Sequence, residues 1–223
     1  MSAPQWAWEA GRRFWSDVGG WTHPVDLRAA IDRKGLMVRV DEVAGLSTHR
    51  VRDYLARRGI SIPRGLADRP LRGCLMAGEE DGWIFLDADD AEDERRFSLA
   101  HELAHFLRHH LEQRRQTTGT TGRLRAALRG VRLVEYLHLM ERGAGFISQD
   151  VRDAEEEADW LAVELLAPEE ELSARLSPNA GRVEIADVLR QTFGLPESVA
   201  SVHSARLIPE WPECPLIARL KKY

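Results

Sequence analysis

The sequence has few cysteines, no long apolar segment and no excess of basic residues, and each absence argues against a class of protein. Two of the 223 residues are cysteine, Cys74 and Cys214, which is typical of a reducing compartment and not of a disulfide-stapled secreted fold. No apolar run approaches the length that crosses a bilayer. Because tryptophans and charged residues recur throughout residues 1–30, we see no secretory signal and expect a cytoplasmic protein without a membrane partner.

The charge balance is mildly acidic. Charged residues make up 30% of the chain and the formal net charge is −5, with a sequence pI near 5.9. Domains that bind nucleic acid usually carry a clear basic excess, so direct binding to nucleic acid is not expected. The length is sufficient for one sizeable hydrophobic core.

The stretch of residues 97–107 contains His-Glu-x-x-His within a predicted helix. One side of this helix is apolar at helical spacing and should face the core. His101 and His105 lie one turn apart, where two imidazoles can bind the same cation. Glu102 is turned by about 100° from His101, so it is better placed to hold a water molecule that a metal activates than to be a ligand. The pattern indicates a zinc hydrolase, although a solvated helix face would also satisfy it.

A third ligand is predicted from a second helix, over residues 154–167, which Pro168 ends. Glu155 lies closest to the apolar face of that helix, where an ionised carboxylate is costly unless it is paired or bound to metal. Glu157 stays open as an alternative ligand. Asp159, one turn after Glu155, could accept a hydrogen bond from a ligating histidine. His109 continues the His101 and His105 stripe imperfectly, and we expect it to contact a ligand or the substrate.

The remaining pattern predicts further helices and a few strands. Helices are expected over residues 4–17, 25–34 and 48–58, and strands over residues 36–40, 71–76 and 83–86, the last two as a hairpin. Residues 117–122 have the composition of a flexible loop. Residues 123–142 predict an amphipathic, arginine-rich helix, which we interpret as a solvated face or, alternatively, as a lid or docking surface for an acidic segment of a partner.

Two linked motifs carry a resemblance to a known family. Residues 95–105 contain the first motif and residues 155–168 the second, and the preceding strand at 82–87 and a helix near residues 183–207 agree with it. Together they resemble the ImmA/IrrE family of metallo-endopeptidases over roughly residues 24–207. The resemblance implies an α+β fold, a mainly helical zincin-like (gluzincin-type) metallopeptidase domain with a small twisted β-sheet.

The resemblance divides the chain into parts of one domain. We expect residues 1–223 to form a single metallopeptidase domain, with an N-terminal helical part at residues 1–70 and a catalytic core at residues 71–207. An arginine-rich stretch at residues 112–150 is interpreted as an insertion into that core, and residues 208–223 as a C-terminal tail.

The resemblance and the motif chemistry together predict a mechanism and a partner. One Zn²⁺ per chain, or manganese as the alternative, would be held by His101, His105 and Glu155, with Glu102 as general base. Candidates for the group that stabilises the oxyanion are Tyr136, His138 and His203. The implied substrate is a helix-turn-helix transcriptional repressor, whose cleavage releases genes of a stress response or a mobile element. The alternative is a non-catalytic module that sequesters such a repressor.

Overall fold

The computed structural model describes residues 3–16, 18–19, 22–57, 59, 67–78, 81–112, 136–142 and 148–208. Within this part of the chain, eight α-helices surround one four-stranded sheet. The helices are α1 (Gln5–Trp15), α2 (Leu27–Lys34), α3 (Thr48–Ala56), α4 (Glu92–His105), α5 (Gln149–Leu166), α6 (Glu169–Ser173), α7 (Arg182–Gln191) and α8 (Glu197–Leu207). The strands are β1 (Val38–Val43), β2 (Leu71–Ala77), β3 (Gly82–Asp87) and β4 (Tyr136–Glu141). The predicted α+β class is confirmed.

The sheet is mixed, with strand order β1-β3-β2-β4. β1 runs parallel to β3, whereas β2 runs antiparallel to both β3 and β4. The pairing of β2 with β3 is the predicted hairpin, in register with Leu75 opposite Ile84. Among the described strands, β4 therefore lies at an edge of the sheet and connects to the rest of it through β2.

The two faces of the sheet belong to two hydrophobic clusters, because successive side chains of a strand point to opposite faces. Leu75 and Ile84 face the larger cluster, which includes the apolar sides of α4 and α5. Cys74 and Phe85 face the smaller cluster, where Leu55 of α3 covers the sheet. The motif helix α4 is thus packed between the sheet and α5, and its residues from Phe97 to His105 are all buried.

Local sequence signals explain where the helices begin. The Ser148 hydroxyl accepts a hydrogen bond from the Val151 backbone N–H at the start of α5, and Ser47 does the same for α3, as N-cap serines commonly do. α4 begins with Glu92, Asp93 and Glu94, whose carboxylates are favourable near the positive end of the helix dipole. After His105 the helix continues as a π-helical segment, Phe106–Glu112.

Two of the predicted helices are wrong. Within the predicted helix at residues 123–142, Tyr136–Glu141 forms strand β4, because the backbone of this stretch pairs with β2. The helix predicted near residues 183–207 is two helices, α7 and α8, since Gly194 between them has φ +64°, a conformation that ends a helix and favours glycine. The predicted loop at residues 117–122, the helix over residues 123–135 and the tail at residues 209–223 lie outside the described residues.

No described helix combines the length with the apolar composition that crossing a bilayer requires.

Candidate metal centre

Four side chains from three elements converge on one point between α4, α5 and β4. They are His101 and His105 from α4, Glu155 from α5 and His138 from β4, and one potential ligand atom from each lies within 4.8 Å of the others. His101 and His105 are buried, whereas His138 and Glu155 are partly exposed. Spacing on α4 and packing of α5 against α4 bring the first three together. Pairing of β4 with β2 brings the fourth, since His138 lies opposite Leu75 on the face of the sheet that α4 covers.

The distances among the three sequence-predicted ligands fit one metal ion. The Nε2 atoms of His101 and His105 are 3.1 Å apart. Oε2 of Glu155 lies 3.2 Å from His101 Nε2, and its Oε1 lies 3.7 Å from His105 Nε2. Tetrahedral bonds of about 2.0–2.2 Å to nitrogen and oxygen place ligand atoms about 3.3–3.6 Å apart. The separations of 3.1, 3.2 and 3.7 Å among these atoms are therefore close to those that a four-coordinate ion needs.

The electrostatics of the cluster also suit a cation. Burial alone would lower the pKa of His101, but hydrogen bonds with Asp159 and Glu155 raise it to about 9. Burial lowers the pKa of His105 to about 3, despite its hydrogen bond with Glu155. Burial alone would raise the pKa of Glu155, but hydrogen bonds with the three histidines hold it well below its usual range. Two imidazole nitrogens that face each other beside an ionised carboxylate form a donor set suited to a divalent metal.

Contacts behind the cluster hold two of the imidazole rings. Nδ1 of His101 lies 3.1 Å from Oδ1 of Asp159. Nδ1 of His105 lies 2.9 Å from Nδ1 of His109 and 3.1 Å from the hydroxyl of Tyr136. A histidine that binds metal through Nε2 is usually held in this way through its other ring nitrogen. Asp159 and His109 thus lie beside the cluster, where they contact the Nδ1 atoms of His101 and His105 respectively.

Glu157 and His203 lie elsewhere. The Glu157 carboxylate accepts a hydrogen bond from Arg108 Nε at 3.1 Å and lies 3.2 Å from His109 Nε2, so it is engaged on the far side of His109 and is not part of the cluster. The His203 ring packs edge-on against Trp160, with ring centroids 4.9 Å apart. Burial and the charge of Arg206 lower the pKa of His203 to about 4.

Glu102 is completely buried beside the cluster. Its Oε2 lies 2.8 Å from Nδ1 of His138. Its Oε1 has no hydrogen-bond partner among the described residues, although a buried carboxylate oxygen is costly when it is unpaired. On the other side, a Cβ atom added to Gly73 of β2 would lie 2.9 Å from this Oε1. Because Gly73 has no side chain, the Glu102 carboxylate fits against β2. Its Oε1 can accept a hydrogen bond from a water molecule or substrate.

Sequence reasoning proposed His138 and Tyr136 for a role with the substrate, and it missed that His138 joins the donor set. β4 alternates: Tyr136 and Met140 pack against the larger cluster, and Leu137 and Leu139 against the smaller one. That alternation of Leu137 and Leu139 around a histidine is a strand signal, and the helical interpretation of residues 123–142 overlooked it. Burial alone would lower the pKa of His138, but Glu102 and Glu155 raise it to about 10.

Residues 72–128 match a family model of peptidases, the peptidase M78 family, described as the IrrE N-terminal-like domain. The matched segment includes β2 from its second residue, β3, the whole of α4 and the His-Glu-x-x-His residues. No curated protein matches the chain. The resemblance stated from the motifs is confirmed by this match, and the donor cluster agrees with the metal dependence of such peptidases.

Proposed function

From the match of residues 72–128 to the IrrE N-terminal-like peptidase model, we propose that the chain is a zinc-dependent endopeptidase of the ImmA/IrrE family. One zinc ion per chain would be held by His101, His105 and Glu155. The observation that carries the proposal is the convergence of these three donors beside a buried Glu102 whose Oε1 has no partner in the described structure. We further propose that the enzyme acts in the cytoplasm on a protein.

Each residue of the site has a role in this reaction. Bound zinc supplies Lewis-acid chemistry, which polarises a carbonyl and lowers the pKa of water. Glu102 takes the proton from the attacking water and passes it to the nitrogen of the leaving amine. Asp159 keeps the His101 ring in the tautomer whose Nε2 faces the metal. Burial and the charge of Glu102 raise the pKa of Tyr136, so its hydroxyl stays protonated and able to donate a hydrogen bond to the oxyanion.

The proposed substrate is a helix-turn-helix transcriptional repressor, in keeping with the resemblance stated above, and its cleavage would release the repressed genes of a stress response or mobile element. An edge strand supports a peptide substrate in general. β4 pairs with β2 on one side, and among the described strands it has no neighbour on the other. Such an edge can pair with an extended peptide through main-chain hydrogen bonds, next to the cluster that His138 joins.

The test compares wild type with Glu102→Gln and Glu155→Ala. Zinc is measured by elemental analysis, and cleavage by mass spectrometry of a mixed library of unstructured peptides. We expect one zinc per chain and cleavage in the wild type, full zinc without cleavage in Glu102→Gln, and loss of both in Glu155→Ala. Glu156→Gln is the matched control, because Glu156 is an exposed neighbour on the same helix.

Two results would contradict the proposal. Cleavage by Glu102→Gln at the wild-type rate would remove Glu102 from the mechanism. A wild type that retains no zinc after zinc is added, and cleaves no peptide, would favour a module that binds a repressor without cutting it. Once activity is established, the same assay on purified helix-turn-helix repressors tests the substrate separately.

A further inference from the structure

We infer that His138 is a fourth protein ligand of the metal, and that strand β4 is a latch which closes the site in the resting enzyme. The inference rests on the proposed function, and it adds a means of regulation to the same site. In the closed state His101, His105, Glu155 and His138 fill all four positions around the ion. In the open state His138 has withdrawn, and a water molecule takes its position.

The His138 ring is directed at the donor cluster. Its Nε2 lies 2.7 Å from Oε1 of Glu155, and His138 is one of the four residues that each offer a donor atom within 4.8 Å of the others. The ring stacks on His105 with centroids 3.7 Å apart and planes inclined by 26°. Its Nε2 therefore points to the same place as the three other donors, and not past them towards a substrate.

The other ring nitrogen of His138 contacts a carboxylate. His138 Nδ1 lies 2.8 Å from Oε2 of Glu102, just as His101 Nδ1 lies 3.1 Å from Oδ1 of Asp159. A carboxylate behind the ring is the usual partner of a histidine that binds metal. His138 thus has both halves of a ligand's environment: a donor atom directed at the cluster and a carboxylate that holds the ring.

Closure would block catalysis because it fills the position that water needs. A catalytic zinc site keeps one position for water, whereas a site with four protein ligands is typical of structural zinc. Withdrawal of the His138 side chain would free that position. It would also release Oε2 of Glu102, whose Oε1 is already without a partner among the described residues.

The placement of β4 makes it suitable as the moving part. Every residue of the strand is only partly buried, and the strand pairs with the sheet on one side, with a register irregularity between Leu71 and Gly73. Arg69 binds the carboxylate of Glu141, with its Nη1 2.7 Å from Oε1, so that end of the strand is anchored. A peptide that pairs with the edge of β4 left unpaired among the described strands contacts the strand that holds His138, and binding of such a substrate opens the latch.

Zinc K-edge X-ray absorption tests the ligand without an activity assay. We expect three imidazoles in the wild type and two in both His138→Gln and His138→Ala, with a zinc dissociation constant at least about tenfold higher in each. The control is Leu139→Ala, which perturbs the same strand on its opposite face and should keep three imidazoles. Wild-type zinc bound by two imidazoles would overturn the inference and leave the proposed function intact, whereas no bound zinc would refute the proposed function itself.

The rate of peptide cleavage tests the latch independently of the ligand count. At saturating zinc, both His138 variants should cleave the peptide library several-fold faster than the wild type, because the water position stays open. A cleavage rate in the His138 variants that is equal to or lower than that of the wild type would overturn the latch. If that rate is lower and zinc has two imidazoles in the wild type as well as in the variants, His138 acts on the substrate instead.

Discussion

The carboxylate of Asp159 lies between His101 and Arg206, with its Oδ1 3.1 Å from His101 Nδ1 and its Oδ2 3.6 Å from Arg206 Nη2. This aspartate on α5 thus connects the motif helix α4 to α8. The contact with His101 orients a proposed ligand ring, and the contact with Arg206 holds the aspartate in turn. Arrangements of this kind raise the basicity of the ligand and fix its tautomer.

Asp159→Asn should raise the zinc dissociation constant about 10- to 100-fold, because a neutral amide stabilises the ligating tautomer of His101 less well than a carboxylate does. The measurement is competition for zinc with a chromophoric chelator. Arg206→Gln is the control, since it removes the more distant contact and should have a smaller effect. A dissociation constant unchanged in Asp159→Asn would show that Asp159 does not support the ligand.

The donors on helices could be predicted from the sequence because helical spacing is local. His101 and His105 are one turn apart wherever the helix lies, and the apolar face of α5 limits which glutamate reaches inward. That argument favours Glu155 over Glu157, and in the structure Glu155 lies in the cluster and Glu157 beside Arg108. These predictions require only the helical period and the energetic cost of burying a charge.

The place of His138 could not be predicted in the same way, because it depends on pairing between strands far apart in the chain. His138 reaches the site only because β4 pairs with β2 in one register, with His138 opposite Leu75. A shift by one residue would turn the histidine to the other face of the sheet. A short strand next to an arginine-rich stretch also offers less periodicity than a helix, so residues 136–141 were assigned to the wrong element.

Gly73→Ala should lower kcat by about 10- to 100-fold while zinc stays bound. The new Cβ would lie 2.9 Å from Oε1 of Glu102, so the carboxylate must move, and a displacement of about 1 Å in a catalytic group can cost that much. Steady-state kinetics and zinc content are measured together. Gly181→Ala is the matched control, because a Cβ there meets no atom within 4 Å. Equal kcat in both variants would contradict the proposed position of the base.

Glu164 is a buried carboxyl group away from the metal cluster, and it predicts how stability depends on pH. It is 4% exposed on α5, and Gly11 of α1 packs so close that an added Cβ would lie 2.5 Å from its Cγ. Burial raises the pKa of Glu164 to about 8, although the backbone N–H of Glu169 donates a hydrogen bond to it. The folded protein therefore keeps a proton that the unfolded chain releases near pH 4.5.

Because Glu164 binds a proton in the folded state over this interval, its contribution to the free energy of unfolding should fall as pH rises from about 4.5 to about 8, and level off above that range. Glu164→Gln removes the titrating group, so the free energy of unfolding of this variant should increase relative to that of the wild type by a few kcal/mol across this range. Urea denaturation at several pH values, with the metal condition held fixed, measures the difference and cancels effects common to both proteins. Glu156→Gln, at an exposed position of the same helix, should leave the wild-type pH dependence unchanged. A difference between Glu164→Gln and wild type that stays constant with pH would show that folding does not raise the pKa of Glu164.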